Sequence, residues 1–140
     1  MQDNHRFFLL FMGVKMEKYL HRGLTVKIIQ VFYKVYSTLG FGFLEKVYEN
    51  ALKIELEALR FFIERQKPIS VYYSGNLVWE YFADLIVNRK VILELKAAEC
   101  LVKEYELQLI NYLKASEIEI GLSLNSGKEP EIKRKIFSNK

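Results

Sequence analysis

The chain has 140 residues, 51% of them hydrophobic and 27% charged, a composition typical of one globular domain and not of a disordered or fibrous chain. Its net charge of +4 is compatible with a nucleic-acid partner but does not require one. A single cysteine excludes an internal disulfide and favours a reducing, cytoplasmic compartment. With only two histidines, a zinc site of His and Cys ligands is not expected. Any metal would be held by carboxylates, which suit magnesium or manganese.

The first 20 residues read as an N-terminal extension of a single domain that spans 21–140. Within the extension, Phe7–Val14 is an apolar run of eight residues, too short for a bilayer, which needs about 20. No small-residue cleavage site of a signal peptide follows it. The run is better explained as a packing arm or by a start assigned upstream of the true one at Met16, and we favour the second. We expect no membrane association.

The hydrophobic pattern predicts two helices, three strands, a third helix and two further strands. Helices are predicted from Leu24 to about Thr38, from about Phe43 to Leu59, and over 102–115 with Leu107, Ile110 and Leu113 facing inward. Short extended pieces and a turn at Ser74-Gly75-Asn76 precede strands over 77–87 and 90–97, and later strands are predicted over 117–124 and 131–137. This order predicts an α/β domain with a mixed sheet.

Two opposite charges interrupt the apolar strand "VILELKA" at 91–97. Strand alternation places Glu94 and Lys96 on one face with Ile92, and leaves the other face entirely apolar. An ordinary Glu–Lys ion pair on a half-solvated strand would be a sufficient explanation by itself, because such pairs are common and stabilise little. An unpaired buried carboxylate, by contrast, would cost several kcal/mol or lose its charge.

Asp84 lies in the equally apolar strand before it, and the length of the connecting loop decides which way its side chain points. A two-residue loop at Asn88-Arg89 would put Asp84 and Glu94 on opposite faces of the hairpin. A three-residue loop that ends at Lys90 would place them directly opposite on one face, with Cβ atoms ~5 Å apart. Carboxylates that close repel each other unless a divalent cation lies between them. We predict the odd-length loop or an equivalent bulge.

Glu45 is a third candidate carboxylate, on the second helix. At ~100° per residue it shares a face with Leu52, Leu56 and Leu59, so it would face the core, while Glu49 would face solvent. The alternative is a glutamate in the first turn, where the helix dipole favours it. The spacing does not decide between the two.

Gln108 and Tyr112 are four residues apart on the third predicted helix, so they share a face. Taken in isolation, they are most simply the boundary of an amphipathic helix.

Together these residues resemble the PD-(D/E)XK nuclease superfamily. The matching set is Asp84, then nine residues, then Glu94-Leu95-Lys96, then Gln108-x-x-x-Tyr112, with Glu45 upstream. More narrowly, Gly42, Glu45 and Tyr48 in "GFLEKVY" resemble the signature of the GxxExxY proteins. The stretches "RQKPISVYY", "ADLIV", "ILELKA" and "QLINYLKAS" resemble that family's successive blocks, and the resemblance runs from about Leu24 to Phe137.

The resemblance implies a restriction-endonuclease-like core, in which helices flank a mixed β-sheet. It implies that Asp84 and Glu94 bind Mg²⁺ or Mn²⁺ together with the Leu95 carbonyl. Lys96 would orient or activate the attacking water and stabilise charge on the phosphorane-like transition state. Glu45 would be an outer or second-metal ligand.

The resemblance also implies that Gln108 and Tyr112 position the phosphate or the substrate strand. Gly42 and Tyr48 belong to the signature, and no chemistry is assigned to them. Two positions depart from the family pattern. Phe41 stands where family members often have proline, which affects only loop stiffness. Tyr105 replaces a histidine, so any metal or proton role of that histidine is missing here.

The leading hypothesis is a Mg²⁺-dependent nuclease that hydrolyses phosphodiester bonds of DNA or of RNA. The alternative is a nucleic-acid-binding or protein-binding module on the same fold with little turnover. A third candidate is a structural subunit that needs a partner, and a homodimer is compatible with the sequence. Basic residues near the C-terminus would hold phosphates in the first two cases, or would simply protect an edge strand: Lys128, Lys133, Arg134 and Lys135.

Overall fold

The computed structural model describes residues 21–138, so the predictions for the N-terminal extension concern residues outside the described part. The helices are α1 (Arg22–Leu39), α2 (Glu45–Ala58) and α3 (Lys103–Ala115). The strands are β1 (Ile63–Tyr73), β2 (Asn76–Val87), β3 (Val91–Lys96), β4 (Ile120–Ser126) and β5 (Pro130–Ile136). The order is the predicted one. The extended pieces before residue 76 form a single strand of 11 residues.

The five strands form one mixed sheet in the order β1-β2-β3-β4-β5. β3 and β4 are parallel, and all other neighbours are antiparallel. A parallel pair needs a crossover connection, and α3 provides it. The predicted α/β fold with a mixed sheet flanked by helices is therefore confirmed. None of the helices described in the structure is long and apolar enough to cross a membrane.

Each face of the sheet carries its own hydrophobic core. On one face α1 and α2 pack over β3 and β4, with Phe32, Tyr48 and Leu93 among the fully buried side chains. On the other face α3 packs mainly over β4 and β5, and its residue Leu109 lies in the same core as Ile92 of β3. Ile92 and Leu93 are adjacent in β3 yet belong to opposite cores, as strand alternation requires.

The inward face of α3 differs from the predicted one. Leu113 is buried as expected, but Leu107 is 50% exposed and Leu109 is fully buried. Gly121 of β4 explains why Leu109 and not Leu107 faces the sheet, because a Cβ atom added to Gly121 would lie only 2.6 Å from Cδ1 of Leu109. The leucine fills the space above the glycine, so α3 turns Leu109 toward the sheet and Leu107 toward solvent.

Candidate active site

The two predicted carboxylates lie where β2 and β3 separate. Val87 pairs with Val91, so the connecting loop has three residues, and the ladder ends at the pair Leu85–Leu93. The next residues in register are Asp84 and Glu94. The backbone N–H of Asp84 donates to Oε1 of Glu94 at 3.2 Å, and the N–H of Leu95 donates to Oδ2 of Asp84 at 2.8 Å. The predicted three-residue loop is confirmed, and each carboxylate bonds the backbone of the other strand.

The loop that sets this register is held by Asn88. Asn88 and Arg89 have φ angles of 53° and 56°, in the left-handed region that asparagine tolerates well. The N–H of Asn88 donates to the carbonyl of Phe62 at 2.7 Å, and Oδ1 of Asn88 accepts from the N–H of Phe62 at 2.8 Å. This reciprocal pair ties the loop to the start of β1, so the register of the hairpin does not depend on its own strands alone.

The environment of the two carboxylates disfavours their charged forms. Glu94 is 5% exposed, and burial, reinforced by the nearby Asp84 charge, raises its pKa to about 9. Burial also raises the pKa of Asp84, although the hydrogen bond from the N–H of Leu95 opposes that shift. A cation between the two oxygens would reverse both effects, because an opposite charge favours ionised carboxylates.

Helix α2 contributes a different glutamate from the one predicted. Glu45 is exposed in the first turn, whereas Glu49 is 3% exposed. Of the two explanations left open for Glu45, the structure shows the glutamate in the first turn, and the expectation that Glu49 faces solvent is wrong. At ~100° per residue the two are only about 40° apart, so they share a face with Leu52 and Leu56. Glu45 is the first residue of the helix, where this face is still exposed to solvent. Glu49 lies one turn later, where the same face is buried.

Glu49 is held by three polar side chains. Its carboxylate accepts from Nε of Arg65 at 2.6 Å, from Nε2 of Gln66 at 2.9 Å and from Nζ of Lys46 at 3.1 Å. The same Gln66 amide lies 3.3 Å from Oδ1 of Asp84. Glu49 is thus connected to Asp84 through one amide group, and its negative charge contributes to the raised pKa of Asp84.

Gln66 reaches both carboxylates because the backbone of β1 is irregular at that point. Its φ angle is 49°, although its neighbours Arg65 and Lys67 pair normally with β2. A non-glycine residue in this conformation costs roughly 1–2 kcal/mol, a strain often found at functional sites. Neither Glu49 nor Gln66 was predicted from the sequence. The only available signal was that Gln66 lies in the stretch "RQKPISVYY".

Lys96 extends from the end of β3 toward α3. Its Nζ lies 4.5 Å from the centroid of the Tyr105 ring and 3.5 Å from Oε1 of Gln108. Gln108 in turn donates from Nε2 to the Tyr112 hydroxyl at 2.9 Å, so the two residues share a face as predicted. Burial, together with the Glu94 and Asp84 charges, raises the pKa of Tyr112, which keeps its hydroxyl protonated. Tyr105 provides a π face for the lysine.

The signature residues outside the site shape the loop before α2. The hydroxyl of Tyr48 donates to the carbonyl of Gly40 at 2.5 Å and lies 3.4 Å from the N–H of Phe43, from which it accepts. Gly42 has a φ angle of 108°, which favours glycine. Glu45 then lines a cavity of about 550 Å³ between this loop and segments 97–99 and 126–128.

The basic residues near the C-terminus differ in their surroundings. Lys128 lines the same cavity. Lys135 is paired with Glu106 of α3 at 2.6 Å, so much of its charge is already compensated. The edge-strand explanation therefore suits Lys135 better than phosphate binding does.

The donors fit a divalent ion that is completed by water and substrate. Within residues 21–138, no group of three or more His, Cys, Asp or Glu side chains is arranged to hold a metal. Asp84 and Glu94 form a pair of hard oxygen donors, and Mg²⁺ characteristically takes one or two carboxylates and fills its other positions with water and phosphate. A buried carboxylate pair whose pKa values are raised is therefore consistent with a magnesium or manganese site of that kind.

The α/β sheet thus places two carboxylates where β2 and β3 separate, with a lysine two residues further along β3. The sequence model of the PD-(D/E)XK nuclease superfamily matches residues 22–135, and the chain belongs to that superfamily. Comparison with curated proteins and with solved structures gave no match.

Proposed function

We propose that the protein is a Mg²⁺- or Mn²⁺-dependent nuclease that hydrolyses phosphodiester bonds in DNA or RNA through Asp84, Glu94 and Lys96. The observation that carries this proposal is the placement of Asp84 and Glu94 side by side where β2 and β3 separate, each carboxylate bonded to a backbone N–H of the other strand. Two acidic groups at one buried place are costly unless a cation is bound there. Membership of the nuclease superfamily supports the same conclusion.

Asp84 and Glu94 would hold the metal, with the Leu95 carbonyl as a further donor. Once bound, a divalent ion supplies positive charge beside the scissile phosphate and makes a coordinated water more acidic. The residues of this chain prepare for it, because the N–H groups of Asp84 and Leu95 each fix one carboxylate oxygen. The other oxygen of each carboxylate is thereby oriented in advance, so little side-chain conformational entropy is lost when a metal binds.

Lys96 would hold positive charge at the phosphate and orient the attacking water. Tyr105 and Gln108 restrict its ammonium group to one region, and such preorganised charge is the largest contribution to catalysis in many enzymes. Tyr112 remains neutral and can donate a hydrogen bond to a phosphate oxygen.

Glu49 and Gln66 would act as positioning residues in place of the predicted Glu45. The Gln66 amide donates toward both Glu49 and Asp84, so it sets their separation. Arg65 and Lys46 balance the charge of Glu49, so this carboxylate is stable without a metal of its own.

Two finer assignments belong to the same proposal. We assign the chain to the GxxExxY group within the superfamily on Gly42, Glu45 and Tyr48. A cytoplasmic location is supported by the exposed thiol of Cys100, which is stable in a reducing compartment.

The test is incubation of the purified protein with single-stranded, duplex and branched DNA and RNA, in Mg²⁺, in Mn²⁺ or in EDTA. We expect cleavage with a divalent ion and none in EDTA, and we expect Lys96→Ala to lower its rate by about 10²–10³. Lys103→Ala is the matched control, because Lys103 is exposed on α3 and its substitution removes the same charge. Cleavage at an undiminished rate in Lys96→Ala would assign the activity to another centre. Binding without cleavage under every condition would favour the binding module.

A further inference from the structure

The β1–β2 hairpin continues far beyond the rest of the sheet. β2 pairs with β1 from residue 76 to residue 87, but it pairs with β3 only over 85–87. We call residues 76–83 the free edge, because on that side of β2 the structure of residues 21–138 contains no neighbouring strand, although α3 covers its end at Tyr81 and Ala83. Its eight residues span roughly 26 Å at ~3.3 Å per residue.

The free edge lacks the features that keep strand edges from pairing. Its sequence "NLVWEYFA" contains no Pro, Gly, Lys or Arg and a single charge, Glu80. The outer edge of the same hairpin, in β1, carries Lys67, Pro68 and the positive φ of Gln66. The far edge of the sheet, β5, carries the basic run Lys133-Arg134-Lys135. Charges, proline and local irregularity are the usual protections of an edge strand, so the free edge has fewer of them than β1 or β5.

The side chains of the same hairpin are also exposed. Large apolar residues that are each more than half exposed are Tyr72 (64%), Tyr73 (73%), Leu77 (54%), Val78 (54%), Trp79 (62%) and Phe82 (51%). At ~150–250 Å² for an aromatic side chain, their exposed parts amount to on the order of 700 Å². Because successive strand residues point to opposite faces, this area is divided between the two faces of the hairpin, and pairing at the edge would cover part of each face.

We propose that two copies of this chain pair antiparallel through the free edge, β2 against β2, and join their sheets into one. Each copy offers the same unpaired N–H and C=O groups, and antiparallel pairing about a two-fold axis satisfies both edges at once. Glu80 limits the register of the two strands, because a register that placed Glu80 of one copy opposite Glu80 of the other would bring like charges together. A nucleic-acid partner suits this surface less well, since residues 76–83 offer no cation to a phosphate.

The pairing also bears on the catalytic centre, because Asp84 directly follows the free edge. In an antiparallel arrangement, the residue 76 end of one copy lies near the residue 83 end of the other. The hairpin turn at Ser74 and Gly75 of the second copy would then lie beside the carboxylates of the first. The proposed dimer thus brings a second chain to each site, although its formation does not depend on catalytic activity.

Trp79 is the only tryptophan of the chain, so its fluorescence reports on the free edge alone. We expect the emission of Trp79 to shift to shorter wavelength as protein concentration rises, over the same range in which light scattering shows the mass doubling. Hydrogen exchange should show protection over that range for those amides of residues 76–83 that point away from β1, since the alternate ones already bond β1. A single-chain mass at high micromolar concentration, with these amides still unprotected, would overturn the proposal.

Two matched variants locate the contact. Val78→Lys places a charge on the free edge, and we expect it to weaken the dimer by roughly tenfold or more, equivalent to about 1.4 kcal/mol. Ile54→Lys makes the same kind of change at a residue of α2 that is 67% exposed, and the dimer should remain. Because both residues are exposed, both variants should fold. A dimer insensitive to Val78→Lys would assign the contact to another surface. A monomer whose Trp79 emission shifts only with added DNA would assign the hairpin to nucleic acid.

Discussion

The buried carboxylate Glu94 makes the stability of the metal-free protein fall as pH rises, and Glu94→Gln should remove that dependence. Its pKa is about 9 in the folded protein against 4.5 for the ordinary group. Between these values the folded state keeps a proton that the unfolded state has released. The stabilising effect of that proton is fully present below pH about 4.5 and is lost as pH rises toward 9. Asp84, whose pKa is also raised, acts in the same direction.

The size of the effect follows from the shift. The free energy of unfolding falls by about 1.4 kcal/mol for each pH unit inside this window, or about 3 kcal/mol between pH ~6 and ~8. For a chain of this size that corresponds to a fall in Tm of about 10 °C. In the Glu94→Gln variant most of this slope should disappear, and at pH ~8 the variant should be the more stable protein in EDTA.

The assay is thermal unfolding followed by circular dichroism in EDTA at three pH values across that range. Glu99→Gln serves as the control, because Glu99 is an exposed carboxylate and its loss should leave the slope unchanged. Addition of Mg²⁺ should raise the Tm of the natural protein, since an ion that binds the ionised carboxylates stabilises the folded state, and should have little effect on Glu94→Gln. A Tm that is constant from pH ~6 to ~8 in EDTA would refute the reasoning.

Three further predictions concern the surroundings of the site. Lys96→Ala should lower kcat by about 10²–10³ while Lys103→Ala leaves it unchanged, and equal losses in the two variants would rule out a specific role. Tyr105→Leu should reduce cleavage by roughly 3- to 30-fold and Tyr105→Phe should not, because only the ring is needed; equal activity of the two would show that the ring is dispensable. Gly127→Ala should cost about 1–3 kcal/mol in denaturant unfolding, because its Cβ would meet the Ala98 carbonyl. Gly23→Ala, with nothing within 4 Å, is the control, and an unchanged midpoint for both would contradict this packing.

Much of the central geometry could be predicted from the sequence because it rests on strand alternation. Only a loop of odd length brings Asp84 and Glu94 to one face of the hairpin, and the carboxylate pair was the reason to predict it. The pairing of Val87 with Val91 confirms that loop. The alternation of Leu93 and Leu95 likewise predicted the fully apolar face of β3, which is buried under α1 and α2.

The helical contributions were harder to predict, because a helical wheel gives direction but not depth. Glu45 and Glu49 point almost the same way, and only the position of the sheet end distinguishes an exposed residue from a buried one. The face of α3 depended on the absence of a side chain at Gly121, which is a property of a different element. The role of Gln66 could not be predicted for a different reason, because no local pattern in β1 indicates a positive φ at a glutamine.

The candidate site and the free edge have a single structural cause. The β2–β3 ladder ends at Leu85–Leu93, and just beyond it the N–H groups of Asp84 and Leu95 donate to carboxylate oxygens. If β3 continued along β2 in a regular ladder, it would cover residues 76–83 and protect the hairpin. It would also draw one of these two N–H groups into the ladder, because adjacent antiparallel pairs alternate between hydrogen-bonded and non-hydrogen-bonded, and one carboxylate would lose its donor. The separation that orients Asp84 and Glu94 therefore necessarily exposes the strand edge beyond them. A second copy can cover that edge without restoring the ladder at Asp84, because its strand would pair with β2 beyond the site.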